Sequence, residues 1–317
     1  MDLSVIIALL NEKESLPELL DWLHRALQPT SLRYEIILVD DGSRDGSWDY
    51  IAARTQTDSH IKGIRFRRNY GKSAALYCGF EAAKGEVVIT MDADLQDSPD
   101  EIPELYQMIR SGQYDLVSGW KKRRHDAKLS KNIPSKIYNR TARWVTGVKL
   151  HDMNCGLKAY RREVVKSIEV YGEMHRYIPY LAKNAGYDRV GEKVVQHQAR
   201  KYGKSKFGLN RFVNGYLDLM SLWFLSRFGK KPMHFFGLMG TLMFLAGSVI
   251  SIVVIITKLT AQAQGLPFRP VTSQPLFYLA LTALIIGSQL FLAGFLGELI
   301  SRNASERNHY FIDQRIE

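Results

Sequence analysis

The sequence predicts an α/β domain with a mostly parallel sheet, followed by two C-terminal transmembrane helices. Between residues 3 and 120, apolar runs that suit buried strands alternate with helical patterns. Polar residues follow several of these runs directly, and two long uncharged apolar segments lie near the C-terminus. Strands that alternate with helices at this spacing form a parallel sheet that is covered on both faces.

The predicted strands are five apolar runs, at 3–10, 34–43, 61–69, 86–94 and 115–120. Helical patterns lie between them, as shown by Leu16, Leu19, Leu20 and Leu23 at spacings of three and four. The first four strands end in the polar clusters Asn11-Glu12, Asp40-Asp41-Gly42-Ser43, Asn69-Tyr70-Gly71-Lys72 and Asp92-Ala93-Asp94. Ligands bind at the carboxyl ends of strands in such sheets, so we expect these clusters to form one site.

The two apolar segments, at about 233–257 and 275–298, predict a transmembrane hairpin. About 20 apolar residues suffice to cross a bilayer as a helix. The alternative is a pair of buried core helices, which seldom lack a charged face at this length. Basic residues lie outside the pair at Arg227, Lys230, Lys231, Arg302 and Arg307, while the connection 258–274 carries only Lys258 and Arg269. The positive-inside rule therefore predicts that both termini face the cytoplasm.

These patterns predict a multi-pass protein of the plasma (inner) membrane. We expect a cytoplasmic domain at 1–208, a juxtamembrane amphipathic segment at 209–231, two helices within 232–300 and a cytoplasmic tail at 301–317. The net charge of +11 favours anionic partners. An anionic lipid face beside two spans accounts for this charge better than nucleic acid does, so we expect a bilayer and no nucleic-acid partner.

Two common nucleotide-binding motifs are absent from the sequence. A dinucleotide fold requires G-x-G-x-x-G after its first strand, and that pattern does not occur. The "GKS" at 71–73 resembles a P-loop, but Phe66 stands where the P-loop requires its first glycine.

The ordered motifs N-E, D-D-G-S, G-K and D-x-D resemble those of the family 2 glycosyltransferases with the GT-A fold. "DADLQDSPDE", "NCGLKAYRRE" and the two apolar segments resemble more narrowly the polyisoprenyl-phosphate glycosyltransferases. The resemblance covers most of the chain. It implies a GT-A nucleotide-sugar-binding domain with interfacial amphipathic helices and a C-terminal two-helix transmembrane hairpin.

The resemblance implies a nucleotide-sugar site formed by Ala8, Leu10, Glu12, Asp40, Asp41, Lys72 and Asp92. Ala8 and Leu10 stand where the family usually has a proline and a tyrosine. Asp40 and Asp41 would bind the base and ribose, or form an Asx-turn, since D-G-S favours turns. Glu12 is a nucleotide contact or a helix N-terminal charge. Lys72 meets the diphosphate or only a carboxylate at the sheet edge.

The aspartates of the D-x-D motif are the predicted metal ligands. Asp92 and Asp94 are two residues apart, so on an extended strand they point to the same side. Both could bind one Mg²⁺ or Mn²⁺ that bridges the donor's diphosphate, with Gln96 as a third oxygen ligand. The alternative is a solvated acidic turn. Asp94 is also a predicted catalytic residue.

The predicted acceptor site is basic. The candidates for phosphate binding are Lys121, Arg123, Lys131, Arg200, Ser205 and Lys206. The alternatives are a solvated basic face and a juxtamembrane basic run. The patterns of 133–145 and 211–228 suit amphipathic segments at a membrane surface.

Asp152 is the candidate for proton chemistry. It matches an aspartate of the family and could act as general base, orient the acceptor, or anchor a turn. We expect His151 and Cys155 to be packing residues, and we assign no chemistry to His175 and Arg176.

The resemblance implies transfer of one sugar, with UDP-glucose as the best candidate donor, to undecaprenyl phosphate at the cytoplasmic membrane face. The reaction would be inverting and metal-dependent, and the family suggests a homo-oligomer. An acceptor phosphate, with a second pKa of about 6, is already largely anionic near neutral pH. Stabilisation of charge would therefore matter more than a strong base.

Three alternatives stay open. A related enzyme could transfer a modified aminopentose to undecaprenyl phosphate. A processive polysaccharide synthase usually has Q-x-x-R-W, but Arg140 precedes Arg143-Trp144 here. A non-catalytic membrane scaffold is disfavoured because Asp41, Asp92 and Asp94 are intact.

Overall fold

The computed structural model describes residues 1–122, 140–143, 145–199, 201–202, 220, 224, 228, 231–267, 269–303 and 312–316. The chain divides into two compact units. The first comprises Met1–Met220 with Arg307–Glu317, and the second comprises Ser221–Glu306.

The first unit is built from alternating strands and helices. Its strands are β1 (Leu3–Leu9), β2 (Tyr34–Asp40), β3 (Ile61–Phe66), β4 (Val87–Asp92), β5 (Leu116–Trp120), β6 (Lys158–Arg161), β7 (Val190–Val194) and β8 (Ile312–Ile316). Its helices are α1 (Leu16–Leu27), α2 (Ser47–Thr57), α3 (Lys72–Ala82), α4 (Ile102–Arg110), α5 (Arg162–Ser167) and α6 (Ile178–Asn184). Residues 140–143 and 145–146 are also helical, and all but the last of them lie within the predicted interfacial helix 133–145.

The strands form one sheet in the order β7-β5-β6-β4-β1-β2-β3-β8. Strand β1 is parallel to β2 and β4, and the β2–β3 and β5–β7 pairs are also parallel. Strand β6 is antiparallel to both β4 and β5, and β8 is antiparallel to β3. The predicted α/β class with a mostly parallel sheet is therefore confirmed.

Both faces of the sheet are covered, which is why the central strands are mostly apolar. Side chains of β1 alternate between the two faces, with Val5 and Ile7 on one and Ile6 on the other. Helices α1, α2 and α4 contribute to the first core, while α3, α5 and α6 contribute to the second. The amphipathic pattern of α1 thus has the predicted partner, since Leu16, Leu19, Leu20 and Leu23 are fully buried.

The sequence predicts only a cytoplasmic tail at 301–317, so strand β8 is a feature that the sequence analysis missed. Its residues pair with β3, with Gly63 opposite Ile316, and Trp48 Nε1 donates a hydrogen bond to Gln314 Oε1 at 2.6 Å. Its five residues include two charged ones, which gives a weak strand pattern. The polar edge strand is consistent with the way proteins protect sheet edges.

The second unit contains two long apolar helices, α7 (Pro232–Ala263) and α8 (Pro275–Asn303). Both are long and apolar enough to cross a membrane, and they pack against each other as a hairpin. Small residues permit the close approach, since a Cβ at Gly240 would lie 2.6 Å from the Gly287 carbonyl oxygen. The helices extend beyond the predicted segments 233–257 and 275–298. Most of 209–231 and of 301–317 lies outside the described residues.

Candidate active site

The tips of β1 and β2 are joined by hydrogen bonds between the N-E and D-D-G-S motifs. The Asn11 N–H donates to Ser43 Oγ at 2.8 Å, and the Arg44 N–H donates to Asn11 Oδ1 at 2.9 Å. The Glu12 N–H donates to Ser47 Oγ at 3.1 Å. Asn11 has a φ of 56°, in the left-handed region that asparagine tolerates better than most residues. These bonds bring the two motifs into one rim at the sheet edge.

The two aspartates after β2 are buried and support the surrounding loops. Asp40 Oδ1 accepts the Ser43 N–H at 2.9 Å, which is the turn that D-G-S favours. Asp41 accepts the N–H groups of Tyr70 at 2.7 Å and Gly71 at 2.9 Å. Burial raises the pKa of both carboxyls above the ordinary value, although the backbone hydrogen bonds oppose the shift. Asp41 therefore fixes the backbone that leads into α3.

Lys72 is the first residue of α3, and its ammonium group forms an ion pair with Asp92 Oδ1 at the end of β4. Both side chains are about one-third exposed, at 34% and 32%. Burial alone would raise the pKa of Asp92, but Lys72, Lys121 and Lys158 outweigh it. The pKa of Asp92 consequently lies well below its ordinary value, and this carboxylate is ionised at neutral pH.

The segment that leads into β6 lies against Asp92. Thr90 Oγ1 donates to the Gly156 carbonyl oxygen at 3.0 Å, which holds this segment beside β4. Lys158 is buried and donates to the Cys155 carbonyl oxygen, and burial lowers its pKa. Neither Gly156 nor Lys158 was assigned a role from the sequence. Their only signal was the motif "NCGLKAYRRE", in which they stand two residues apart.

The turn after the D-x-D motif is tightly held. Asp94 is 8% exposed, and its Oδ1 accepts the Gln96 N–H at 3.2 Å. The Gln96 carbonyl oxygen accepts the Gln198 N–H at 2.9 Å. Leu95 has a φ of 58°, an uncommon conformation for a residue with a bulky side chain. Such local strain is often found at functional sites, and here it lies between two predicted metal ligands.

Asp92 and Asp94 have the chemistry that Mg²⁺ or Mn²⁺ requires, because both provide hard oxygen ligands. Within the described part of the chain, no group of three or more His, Cys, Asp or Glu side chains could hold a metal by itself. Two carboxylates suit an ion that takes its remaining ligands from water and substrate phosphates. The lysine ammonium on Asp92 also shows that a cation can be accommodated at this carboxylate.

Lys121, a predicted acceptor residue, lies inside the domain. Its ammonium group is 2.6 Å from Oδ1 of Asp97, which is fully buried. Burial alone would lower the pKa of Lys121, but Asp97 outweighs it and the pKa is raised. Asp97 was missed, although it stands in the quoted motif "DADLQDSPDE". The other acceptor candidates, Arg123, Lys131, Arg200, Ser205 and Lys206, lie outside the described residues.

Asp152 is 2% exposed and its Oδ1 accepts the Asn154 N–H at 3.1 Å, as expected of a residue that anchors a turn. Glu192 on β7 accepts the N–H groups of His151 at 2.8 Å and Asp152 at 3.1 Å. The His151 ring also stacks on Trp120, with centroids 4.1 Å apart. Sequence reasoning missed Glu192, because nothing in its local sequence distinguishes it.

His175 lies beside the start of α3. Its N–H donates to Ser73 Oγ at 3.1 Å, and its Nδ1 lies 3.1 Å from the same oxygen. Burial, together with Lys72 and Arg176, holds the pKa of His175 well below its ordinary value. A neutral imidazole therefore lies near the Lys72–Asp92 pair, in a region to which the sequence assigned no chemistry.

The last predicted donor residues, Ala8 and Leu10, lie at the end of β1 and are half-buried. Ala8 is opposite Val39 on one side and Asp92 on the other. The carboxyl ends of β1, β2 and β4 thus place the N-E, D-D-G-S and D-x-D motifs along one edge, as predicted. The roles of these residues in binding stay predictions.

A covered, mostly parallel sheet with acidic residues at the tips of its central strands is the architecture of the GT-A glycosyltransferases. Residues 4–169 match the family model described as Glycosyl transferase family 2, and the chain belongs to that family.

Among curated proteins, the chain is 33% identical to a dodecaprenyl-phosphate galacturonate synthase from Rhizobium johnstonii, over 95% of this chain and 88% of the relative. It is 37% identical to an undecaprenyl-phosphate 4-deoxy-4-formamido-L-arabinose transferase from Aeromonas hydrophila, over 98% of this chain and 93% of the relative.

Solved structures agree on the fold. Mannosyl-3-phosphoglycerate synthase from Rubrobacter xylanophilus superposes with a TM-score of 0.59 at 14% identity, over 72% of this chain and 75% of that one. Glucosyl-3-phosphoglycerate synthase from Mycobacterium tuberculosis, in complex with Mn²⁺ and UDP-glucose, gives a TM-score of 0.52 at 18% identity, over 71% and 79% of the two chains.

Proposed function

We propose that this glycosyltransferase transfers a single sugar from a nucleotide-sugar to a polyprenyl phosphate, with inversion and with a divalent metal ion. The geometric observation that supports this best is the Lys72–Asp92 pair at the tip of β4. It places a carboxylate that can bind a metal beside a cation that can bind a phosphate. The names of the two curated relatives, which match nearly the whole chain, support the polyprenyl phosphate acceptor.

The donor's diphosphate is the group that leaves, and the site must stabilise its developing charge. Asp92 and Asp94 would hold Mg²⁺ or Mn²⁺, which neutralises the phosphate oxygens when bound. Lys72, at the start of α3, would bind the diphosphate directly. The rim formed by Glu12, Asp40 and Asp41 would contact the nucleoside, while Asp41 also holds the backbone before Lys72.

The acceptor phosphate needs orientation more than deprotonation, because it is already largely anionic near pH 7. Asp152 is nearly buried and accepts an N–H of its own turn. This geometry favours a role in shaping the acceptor side over a role as general base. We also propose that the acceptor phosphate is bound by Arg123, Lys131, Arg200, Ser205 and Lys206.

For the donor sugar, we rely on the names of the relatives rather than on the sequence-based preference for UDP-glucose. The curated relatives carry galacturonate and a formamido-arabinose in their names. They favour the aminopentose alternative, or a uronic acid, over glucose. All three sugars belong in the same donor panel.

We place the protein in the plasma membrane as a multi-pass protein with both termini in the cytoplasm. Strand β8 follows the second apolar helix and pairs with β3. The segments before and after the two helices thus belong to one folded unit, as two crossings require. Basic residues that flank the hairpin favour the cytoplasmic side. We also propose that the cytoplasmic domain ends at 208, that the juxtamembrane segment ends at 231, and that the protein forms a homo-oligomer.

The test incubates membranes that contain the full-length protein with undecaprenyl phosphate, Mg²⁺ or Mn²⁺ and radiolabelled donors. The donors are UDP-glucose, UDP-galacturonate and the UDP-linked formamido-arabinose. We expect label in a lipid-linked monosaccharide from one donor, and loss of label with EDTA or in Asp94→Ala. A polymeric product would indicate a processive synthase. No lipid-linked label from any donor, with folded protein, would refute the transferase function.

A further inference from the structure

We propose that Lys72 is the resting counter-ion of Asp92, and that it competes with the metal ion until the donor's diphosphate takes it away. This inference rests on the proposed function and concerns how the same site is loaded. It predicts that metal and diphosphate bind cooperatively, because each removes an obstacle to the other. Lys72 would then couple the two ligands in addition to contacting one of them.

The geometry allows the Lys72 side chain to move while its backbone stays in place. Asp41 accepts the N–H groups of Tyr70 and Gly71, the two residues before Lys72. The side chains of Lys72 and Asp92 are each about one-third exposed, so a ligand can reach the ion pair. A diphosphate that binds Lys72 would also lie at the start of α3, where helix N–H groups and the helix dipole favour negative charge.

The other two lysines near Asp92 are not equally displaceable. The Lys121 side chain is only 12% exposed and is paired with Asp97 at 2.6 Å. Lys158 is buried and donates to the Cys155 carbonyl oxygen. Among these three lysines, Lys72 is the most exposed and the one in direct contact with Asp92. It is therefore the charge that can leave when a ligand arrives.

The charge balance gives the direction of the effect. A divalent cation that approaches Asp92 meets three ammonium groups, and like charges repel strongly in a partly buried site. When a diphosphate binds Lys72, the ammonium gains two anionic partners and releases the Asp92 oxygen. Metal alone should therefore bind weakly, and metal with diphosphate tightly. By thermodynamic linkage, metal must improve diphosphate binding by the same factor.

The experiment measures Mn²⁺ binding to purified full-length protein in detergent, by electron paramagnetic resonance of the free ion. Wild type is compared with Lys72→Met and Lys72→Arg, each without nucleotide and with saturating UDP. Without UDP, we expect Lys72→Met to bind Mn²⁺ about fivefold more tightly than wild type. This factor corresponds to about 1 kcal/mol, the upper value for the free energy of an exposed ion pair. We also expect UDP to improve Mn²⁺ binding less in this variant than in wild type.

Two variants serve as controls. Lys72→Arg keeps the charge and should resemble wild type in Mn²⁺ binding without UDP. Lys166→Met removes an exposed lysine that contacts the Glu81 carbonyl oxygen at the other end of α3, and should change neither measurement. Circular dichroism verifies folding, and Lys72→Gln replaces Lys72→Met if the methionine variant is misfolded.

The proposal is overturned if Lys72→Met binds Mn²⁺ alone no better than wild type, or if no Mn²⁺ binding is detected in either. It is also overturned if Asp92→Asn leaves Mn²⁺ binding unchanged, because the metal would then lie elsewhere. Sugar transfer by wild type is measured separately. If wild type transfers sugar but Lys72→Met does not change Mn²⁺ binding, only the proposed coupling is refuted. If Lys72→Met binds Mn²⁺ more tightly but wild type transfers no sugar, only the enzymatic function is refuted.

Discussion

Gly156 lies so close to the carboxylate of Asp92 that a Cβ at position 156 would be 2.5 Å from Asp92 Oδ2 and 2.6 Å from its Cγ. The backbone of Gly156 is outside the left-handed region that favours glycine. Glycine is therefore required because a larger side chain has no space there. The space is occupied by the carboxylate of Asp92, which lies 64 residues earlier in the chain (156 minus 92). The Thr90 hydroxyl, bonded to the Gly156 carbonyl oxygen, prevents the segment from moving away freely.

We expect Gly156→Ala to displace the Asp92 carboxylate and to weaken Mn²⁺ affinity and sugar transfer by about tenfold or more, since small errors in position are costly at reacting centres. Mn²⁺ titration and initial rates measure these effects. Gly119→Ala is the matched control, because its Cβ would meet Cys155 Sγ at 2.8 Å. That variant should lose thermal stability with a smaller change in metal affinity. Wild-type Mn²⁺ affinity in Gly156→Ala would contradict the steric argument.

Asp41→Asn should weaken donor binding and lower the free energy of unfolding by about 1–3 kcal/mol, the usual cost of an unsatisfied buried polar group. The two Asp41 oxygens accept the N–H groups of Tyr70 and Gly71, and an amide can accept only one of them in the same geometry. Urea denaturation and the KM for the donor measure the two effects. Asp49→Asn, on the exposed side of α2, is the control. An unchanged free energy of unfolding would show that the loop before α3 does not depend on Asp41.

Glu192→Ala should reduce kcat by about tenfold through misplacement of the 151–155 turn. Glu192 accepts the N–H groups of His151 and Asp152 and also contacts the His151 ring nitrogen at 2.7 Å. The KM for the nucleotide-sugar should stay close to wild type, because the donor rim lies on other strands. Glu163→Ala, which removes an exposed glutamate, should have wild-type kinetics. A large increase in donor KM with unchanged kcat in Glu192→Ala would assign Glu192 to the donor side instead.

Both cysteine thiols should resist modification in the folded protein. Burial raises the pKa of Cys78 to about 11 and that of Cys155 to about 12, so both are protonated at pH 8. An unfolded thiol has a pKa of about 8.5 and loses its proton first as the pH rises. The free energy of unfolding should therefore fall above about pH 8.5. Reaction with a thiol reagent before and after unfolding checks the first expectation, and urea denaturation at pH 8 and 10 checks the second. Rapid labelling of the folded protein would contradict the burial of these thiols.

The alternation of strands and helices up to β5 could be predicted because each apolar run is a local signal. Strands β6, β7 and β8 were missed because each is short and contains charged residues, so periodicity does not distinguish them from loops. The positions of Asp92 and Asp94 could be predicted from the order of motifs. The roles of Asp97 and Glu192 could not, because each depends on a partner in a distant segment.

The sequence by itself determined the α/β class, the acidic tips of the central strands and the two apolar helices, because periodicity and composition are properties of neighbouring residues. Only the tertiary structure decided which charges meet. It pairs Lys72 with Asp92 and Lys121 with Asp97, and it places Gly156 against Asp92. The physical reason is that ion pairs and close packing depend on distances between segments far apart in the chain. Those distances are set by the order of strands in the sheet, in which the antiparallel β6 lies next to β4.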